Sequence, residues 1–201
     1  MRAISRRLAI AALAALSLAA CQKPGGAAAT GDMSLGNPNA KVTVIEYASA
    51  SCPHCARFNN EVFPELRKKY IDTGKVHYIF REFLTPPVEV AAAGFLLARC
   101  AGKDKYFDVL DAIYRGQEQM FTSGDYRGTL LRIAQSFGMS EDQFTKCITD
   151  EKALKALNDR VQSAINNDKI QATPTFVING KKFEGEQSMA QLDAAIQPLL
   201  K

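Results

Sequence analysis

Two cysteines separated by two residues, Cys52-Pro53-His54-Cys55, lie between an apolar, β-branched run and an amphipathic helical run. Two thiols on the first turn of a helix can form a disulfide with little backbone movement, and the positive end of the helix favours the thiolate of the first. The motif therefore predicts a redox site. The alternatives to a redox site are that the cysteines attach a haem or bind a zinc ion. A c-type haem site requires His directly after the second Cys, where Ala56 stands, and a zinc site requires a second close ligand pair, which the sequence lacks.

The first 20 residues have the pattern of an export signal. Three arginines within the first seven residues precede an apolar run, residues 8–20, that is too short to remain as a membrane-spanning helix. Leu18-Ala19-Ala20-Cys21 resembles the lipobox of bacterial lipoproteins, in which the cysteine is acylated and becomes the mature N-terminus. Ordinary cleavage at the nearby small residues is the alternative. Acyl chains on Cys21 would anchor the mature protein to a membrane, inner or outer.

Residues 21–33 are rich in Gly, Ala and Pro and have no apolar periodicity, so they predict a flexible tether. Removal of residues 1–20 takes away three of the 25 Lys and Arg and none of the 21 Asp and Glu, so the formal charge falls from +4 to +1. A nearly neutral chain does not indicate nucleic-acid binding. The remaining stretch, residues 34–201, is long enough for one domain with a substantial core.

Four cysteines remain if Cys21 is lipidated, an even number in an exported protein whose compartment permits disulfides. The sequence alone allows three pairings. The local pairing joins Cys52 to Cys55, which leaves Cys100 and Cys147 as a candidate structural bridge that closes a long loop. Two separate buried thiols are the alternative for this second pair.

The first half of the domain shows strand, helix and strand patterns in turn. The nearly continuous β-branched run at residues 42–47 predicts a central strand covered on both faces. Apolar residues at every fourth position from Phe58 to Tyr70 predict a helix after the cysteine motif, which Pro64 should kink. A second strand is predicted at residues 76–81, with His77 at its surface.

Helical periodicity from residue 88 to about 168 predicts a helical block inserted between strands. Within it, Ser140 and Gln143 have the spacing of a capping box. Strand character returns at residues 175–178, followed by a predicted type I′ turn at Asn179-Gly180 and a final helix that Ser188 and Gln191 should cap. The cysteine motif thus follows the first core strand, at the edge where open α/β sheets carry their functional crevice.

Four features carry a resemblance: residues 36–40 (GNPNA) ahead of the first strand, the cysteine motif, the long helical insertion, and residues 173–180 (TPTFVING) ahead of the last helix. Together they resemble the DsbA-like thiol:disulfide oxidoreductases, a thioredoxin-fold family with an inserted helical domain. The predicted fold class is therefore α/β, a thioredoxin-like fold with an α-helical insertion at about residues 88–168.

The resemblance implies a role for each matching residue. Cys52 would be the exposed nucleophile and Cys55 its buried partner in a redox-active disulfide. Pro174 would be a cis-proline facing the cysteines, which leaves the backbone of Thr173 free to pair with substrate. Glu46 matches a buried acid of the family, whose pKa desolvation raises and which relays the proton of Cys55.

Several of these roles have alternatives. His54 can donate to the Cys52 sulfur or, when charged, attract its thiolate, but it can also be a solvent-exposed spacer. Glu46 could be an edge-strand residue that reaches water. Thr173 does not decide the direction of the reaction, because threonine precedes this proline in oxidases, reductases and isomerases alike.

The resulting hypothesis is a lipid-anchored periplasmic enzyme that forms disulfides in reduced or unfolded exported proteins through Cys52 and Cys55. The resemblance implies a quinone-linked membrane partner, and we expect no cofactor, no metal and no nucleic acid. A disulfide reductase or isomerase is the first alternative, which a redox potential distinguishes. The second is a non-enzymatic metal-binding lipoprotein that uses Cys52, His54 and Cys55 as ligands.

Overall fold

The structure is a computed structural model that describes residues 30–201. The predicted signal segment, the predicted lipidation site Cys21 and residues 22–29 of the predicted tether lie outside the described residues. None of the helices within residues 30–201 combines the length and the hydropathy that crossing a bilayer requires. The described residues include the whole of the predicted domain at 34–201.

A mixed sheet forms the centre of the described part. Its five strands are β1 (Met33–Gly36), β2 (Val42–Ala48), β3 (Val76–Glu82), β4 (Thr175–Ile178) and β5 (Lys181–Glu184). Their order across the sheet is β1-β3-β2-β4-β5, in which β2 and β3 are parallel and the other neighbours are antiparallel. β2 is central and covered on both faces, as its continuous β-branched sequence predicts.

The first strand begins one residue earlier than the predicted domain. Met33, which the prediction assigns to the tether, is buried and pairs with Phe80 of β3. The sequence pattern does not predict β1, because four residues are too few to show a period. The strand ends at Gly36, where φ is +82° and a Cβ would collide with the carbonyl oxygen of Val76. Both features favour glycine at this position.

The helix predicted after the cysteine motif is interrupted. One residue, Val62, separates α1 (Pro53–Glu61) from α2 (Phe63–Leu66), which continues into a π-helical turn (Arg67–Ile71). Pro64 lies in the first turn of α2, where its missing N–H costs no hydrogen bond, whereas its ring would clash with a continuous helix. The break therefore falls where the proline predicts a kink.

Five helices occupy the predicted insertion. Residues with side-chain oxygens begin the last three: Asp125, Ser140 and Asp150 each accept a hydrogen bond from the backbone N–H three residues on. The capping box predicted from Ser140 and Gln143 is present. The helices are α3 (Val88–Cys100), α4 (Tyr106–Ser123), α5 (Tyr126–Ser136), α6 (Glu141–Ile148) and α7 (Glu151–Asn166).

A buried carboxylate joins this insertion to the sheet. Glu82, the last residue of β3, accepts hydrogen bonds from Arg99 of α3, Tyr106 of α4 and Arg160 of α7. The side chain of Glu82 is 1% exposed. Three helices are therefore connected through one strand end, which sets where the insertion lies relative to the sheet.

The C-terminal part follows the prediction closely. Asn179 and Gly180, with φ of 43° and 88°, form the turn between β4 and β5, as a type I′ turn requires. The predicted capping box of Ser188 and Gln191 begins α8 (Met189–Ile196), which ends in a 3₁₀ turn (Gln197–Leu200).

The surface position expected for His77 is wrong. His77 is buried, because β1 pairs beside β3 and removes it from the sheet edge, with Gly36 opposite His77. Burial lowers the pKa of its imidazole, since desolvation disfavours the charged form. The error follows directly from the strand that the sequence pattern does not reveal.

The insertion contains a disulfide. Cys100 at the end of α3 and Cys147 in α6 are bonded; their Cα atoms are 5.9 Å apart and the two residues are 47 positions apart in sequence. The sequence allows either a disulfide or two separate buried thiols for this pair, and the structure contains the disulfide. It lies in the helical insertion, whereas Cys52 and Cys55 are free thiols at the start of α1.

Candidate active site

The cysteine motif lies at the junction between β2 and α1. Cys52 is the N-cap residue of α1 with extended backbone, Pro53 occupies the first turn, and Cys55 lies inside the helix. Proline suits this position because its φ is helical and its missing N–H would have no partner there. Cys52 is 6% exposed and Cys55 is 0% exposed. The order of accessibility is the predicted one, although Cys52 is less exposed than expected.

The Cys52 sulfur has an environment that stabilises a thiolate. The pKa of Cys52 is lowered to about 5, chiefly by a hydrogen bond from the Cys55 thiol, against the opposing effect of partial burial. The Thr173 side chain and the backbone N–H groups of Cys55 and His54 lower it further. The Cys55 thiol and the two backbone N–H groups donate to the charged form, and the helix N-terminus adds its positive end. Cys52 is therefore ionised at neutral pH.

The buried sulfur has the opposite tendency. The pKa of Cys55 is raised well above its usual range, first by desolvation and then by its hydrogen bond to Cys52 and the charges of Cys52 and Glu46. A thiol without contact with water loses the solvation that a thiolate needs. Cys55 therefore remains protonated when the pair is reduced.

The loop before β4 approaches Cys52 from the other side. The Thr173-Pro174 peptide bond is cis, and the Cys52 sulfur lies 3.4 Å from the Thr173 carbonyl oxygen, to which it donates when it is protonated. A second cis bond, Pro86-Pro87, lies outside the sequence predictions. The structure thus brings Thr173 and Pro174 to Cys52, as the resemblance implies.

The contacts of His54 differ from the expected ones. Its Nδ1 lies 3.3 Å from Glu186 Oε2 and 3.2 Å from Arg57 Nη2. The two contacts compete, because Nδ1 can donate to the carboxylate or accept from the guanidinium but cannot do both. Among the hydrogen bonds of residues 30–201, none joins the imidazole to the Cys52 sulfur. Glu186 lies in the loop after β5, and no sequence signal relates it to the motif.

Glu46 is a buried acid in the central strand, not an edge residue. Tyr78 of β3 donates its phenol hydrogen to Glu46 Oε2. Desolvation raises the pKa of Glu46 to about 8, the Tyr78 bond lowers it, and the charge of Cys52 raises it. Glu46 is therefore mostly protonated at neutral pH. The alternation of β3 indicates that Tyr78 is buried but not that it pairs with Glu46.

Helix α4 of the insertion contributes polar groups that the sequence analysis missed. Gln117 Nε2 donates to the carbonyl oxygens of Ala50, at 2.9 Å, and Cys52, at 3.2 Å. Tyr114, one turn earlier, is also buried. Their only sequence signal is that two polar side chains interrupt the apolar face of a helix. The insertion thus supports the loop that presents Cys52.

The sequence profile of the family described as Thioredoxin matches residues 28–198. The chain belongs to the thioredoxin family. The α/β fold class predicted from the sequence, a thioredoxin-like fold with a helical insertion, is confirmed.

Relatives of this thioredoxin-family protein include a Rickettsia bellii protein that carries the provisional name protein-disulfide oxidoreductase. The two are 37% identical over 166 residues, which cover 82% of this chain and 63% of that protein, so the chain spans less than two thirds of its relative. The structure resembles Wolbachia pipientis alpha-DsbA1, with a TM-score of 0.79, 32% identity and coverage of 86% of this chain and 92% of that one. It also shares the fold of Bacillus subtilis BdbD, with a TM-score of 0.71, 24% identity and coverage of 88% and 96%.

Metal binding has little support in the geometry of this thioredoxin-family site. Within residues 30–201 there is no group of three or more His, Cys, Asp or Glu side chains placed to hold an ion. Cys52, His54 and Cys55 do not converge, because His54 Nδ1 faces Glu186 and Arg57. The structure therefore gives no observation in favour of the metal-binding alternative.

The pKa of Cys52 predicts how the stability of the reduced protein depends on pH. Its folded value of about 5 lies below its ordinary value of 9.0. The ionised Cys52 thiolate therefore adds to the free energy of unfolding of the reduced protein. This stabilisation is fully present above about pH 9 and is lost as the pH falls through 5. The pKa of Glu46 is raised from 4.5 to about 8, so Glu46 changes the stability with pH in the opposite direction. Because Glu46 is present in both the reduced and the oxidised protein, its effect largely cancels when the two forms are compared. We expect the melting temperature of the reduced form minus that of the oxidised form to rise between pH 5 and pH 9.

Thiolate absorbance in the ultraviolet measures the same group directly. We expect a titration with a midpoint near pH 5 in the reduced protein. A Cys52→Ala variant is the control and should lose this transition, because Cys55 stays protonated. A midpoint near 9 in the unmodified protein would contradict the assigned environment of Cys52.

Proposed function

We propose that this protein catalyses thiol:disulfide exchange with other proteins through Cys52 and Cys55. The observation that carries the proposal is the pair of opposed sulfur environments, with Cys52 stabilised as a thiolate and Cys55 kept protonated one helical turn away. The relationship to proteins named as disulfide oxidoreductases supports it. Cysteines that served only to pack the core would not require one lowered and one raised thiol pKa.

In the proposed reaction, a substrate thiolate attacks the Cys52 sulfur of the oxidised enzyme. The Cys52-Cys55 bond breaks, its electron pair leaves on the Cys55 sulfur, and a mixed disulfide joins substrate to Cys52. A second substrate thiolate then attacks the substrate sulfur of the mixed disulfide and releases Cys52 as a thiolate. The substrate is oxidised by two electrons and the enzyme becomes a dithiol. Cys52 is a good leaving group because its pKa is low.

Glu46, Thr173 and Pro174 have supporting roles in this proposal. Glu46 is mostly protonated at neutral pH, so it can give its proton to the Cys55 sulfur when that sulfur leaves. Thr173, held by the cis bond to Pro174, presents its backbone beside Cys52 and can pair with an extended substrate segment. His54 lies between the cysteines, and its proposed role is to orient the first turn of α1 through its contacts with Glu186 and Arg57.

We further propose that the enzyme acts as an oxidase on reduced exported proteins in the periplasm. The export-signal pattern in residues 1–20 and the lipobox ending at Cys21 support export and a lipid anchor. The low pKa of Cys52 stabilises the reduced form, which makes the disulfide more oxidising. Because each turnover leaves a dithiol, an electron acceptor must restore the disulfide, and we propose a quinone-linked membrane protein.

The redox potential tests the direction of the reaction. Equilibration of the purified protein with glutathione buffers should give a potential far above the roughly −270 mV of thioredoxin and towards the roughly −120 mV of DsbA. The protein should also oxidise a peptide that contains two cysteines. A thioredoxin-like potential would favour the reductase or isomerase alternative, whereas failure to exchange with glutathione would contradict the proposed function altogether.

A further inference from the structure

Helix α4 of the insertion carries a buried amide that bonds the backbone beside the redox pair. Gln117 is 3% exposed, and its Nε2 donates to the Ala50 carbonyl oxygen at 2.9 Å and to the Cys52 carbonyl oxygen at 3.2 Å. An amide nitrogen carries two hydrogens, so both bonds can form at once. One side chain of the insertion therefore bonds two peptide groups of the segment that presents Cys52.

The two carbonyl groups differ in what else bonds them. The Cys52 carbonyl also accepts from the Ala56 N–H at 3.1 Å, the first backbone hydrogen bond of α1. Among the hydrogen bonds within residues 30–201, Gln117 provides the one donor to the Ala50 carbonyl. Ala50 is 1% exposed, so water does not replace the amide. A buried carbonyl without a donor costs free energy, and the segment would have to move to satisfy it.

Hydroxyl groups fix the part of this segment that precedes Cys52. The Ser51 hydroxyl donates to the Thr85 carbonyl oxygen at 2.7 Å, and the Ser49 hydroxyl accepts from the Thr85 N–H at 3.2 Å. The Cys52 N–H donates to the Ser49 carbonyl oxygen at 3.1 Å. These bonds tie the segment to the loop after β3 and end at the Cys52 nitrogen. The carbonyl side of Cys52 is held by the first turn of α1 and by Gln117.

The backbone conformation of Cys52 determines where its sulfur lies. Cys52 is the N-cap residue of α1 and has extended backbone angles, with φ of −82° and ψ of 121°. An N-cap side chain lies beside the first N–H groups of its helix, which have no partners within the helix and form its positive end. Rotation of the peptide group between Cys52 and Pro53 changes ψ of Cys52. It therefore changes how the sulfur lies relative to the helix end.

We propose that Gln117 is a positioning residue through which the helical insertion sets the redox equilibrium of Cys52 and Cys55. This inference rests on the proposed exchange reaction. The helix end stabilises the Cys52 thiolate, and that thiolate exists only in the dithiol form of the enzyme. A fixed N-cap therefore favours the dithiol and makes the disulfide more oxidising. Loss of the amide should shift the equilibrium towards the disulfide, whereas loss of a side chain that only packs α4 against α1 would not.

The test compares Gln117→Met with Gln119→Met in the full chain. Methionine keeps the length and the helix preference of glutamine but has no N–H to donate. Gln119 lies two residues further along α4 and is exposed, so it is the matched control. In glutathione buffers at pH 7, Gln117→Met should shift the equilibrium constant about tenfold towards the disulfide, the size expected for one buried hydrogen bond. Gln119→Met should leave it unchanged.

The thiolate titration gives a second measurement that a packing residue would not change. Its midpoint in Gln117→Met should rise by about one pH unit, because one unit corresponds to a tenfold change in the equilibrium constant. If Gln117→Met does not fold, Gln117→Glu takes its place. A carboxyl group has at most one hydrogen to donate where the amide has two, so the equilibrium should shift in the same direction.

Two results would overturn the inference. An equilibrium constant within about twofold of the unmodified protein, whatever the melting temperature, would show that Gln117 only stabilises the fold. A shifted equilibrium with an unchanged thiolate titration would show that Gln117 does not act through the position of the Cys52 sulfur. Either result leaves the proposed function intact, provided that the unmodified protein exchanges with glutathione. Absence of exchange in the unmodified protein would instead contradict the function itself.

Discussion

Cys52→Ala is expected to abolish dithiol oxidation, with a loss of about 10³-fold or more, because the remaining thiol, Cys55, is buried and protonated and cannot replace it in the mixed disulfide. With its pKa near 5, Cys52 is about 99% thiolate at pH 7 in the reduced enzyme, whereas an ordinary cysteine is a few per cent ionised. Low basicity makes a sulfur a weaker nucleophile but a better leaving group. An oxidase needs the second property, since substrate must displace Cys52 to carry away the disulfide.

Cys55→Ala is expected to fail in a different way. Its Cys52 thiolate still attacks a substrate whose cysteine carries a disulfide-linked leaving group; the leaving group departs as a thiolate and a mixed disulfide remains. No Cys55 is then present to attack the Cys52 sulfur, expel the substrate thiolate and close the enzyme disulfide. Covalent complexes between enzyme and substrate should accumulate, visible as bands on a non-reducing gel that a reductant removes. Loss of the Cys55 hydrogen bond should also raise the pKa of Cys52, because that bond is the largest cause lowering it.

The control for both variants is a double substitution of Cys100 and Cys147 by alanine. This pair lies in the insertion and does not touch the motif, so the variant should exchange disulfides while unfolding more easily. The roles assigned to the two sulfurs would be contradicted if Cys52→Ala retained exchange, or if Cys55→Ala turned over like the unmodified protein. Mass spectrometry of the trapped complexes identifies which sulfur is bonded.

Local sequence patterns predicted the parts of this protein that depend on neighbouring residues. The strand at residues 42–47, the capping boxes at Ser140 and Ser188 and the turn at Asn179-Gly180 are all present, because each rests on residues within a few positions. The cysteine motif belongs to the same class, since its chemistry follows from one strand end and one helix start.

Contacts between distant segments were beyond the same reasoning. Glu186 lies 132 residues from His54, and Tyr78 lies 32 residues from Glu46, so no periodicity relates either pair. Burial of His77 depends on β1, a strand of four residues. The sequence thus shows which residue types carry the chemistry, while the tertiary fold decides which partners set their charge and orientation.

Glu82→Ala is expected to cause the largest loss of stability among single substitutions outside the redox pair. Glu82 Oε1 accepts from Arg99 Nε at 2.6 Å and from the Tyr106 hydroxyl at 3.1 Å. Its Oε2 accepts from Arg99 Nη2 at 2.9 Å and from Arg160 Nη2 at 2.6 Å. The arginine side chains are 20% and 22% exposed, so they are mostly removed from water. Removing the carboxylate leaves both charges without their common partner.

Breaking a buried ion network by deleting one partner costs about 3–5 kcal/mol, because the remaining charges stay desolvated. For a domain of this size the melting temperature should fall by roughly 10 °C. Glu82→Gln should lie between alanine and the unmodified protein, since it keeps the shape and part of the hydrogen bonding but loses the charge. Glu184→Ala, on the exposed strand β5, is the control and should change stability by less than about 0.5 kcal/mol.

Equal thermal unfolding of Glu82→Ala and the control would mean that packing alone holds the insertion to the sheet. The hydrogen bonds of Glu82 and those of Cys52 have no residue in common. We therefore expect Glu82→Ala to lower the melting temperature and to leave the Cys52 titration unchanged, which would show that the network supports the fold without tuning the redox pair.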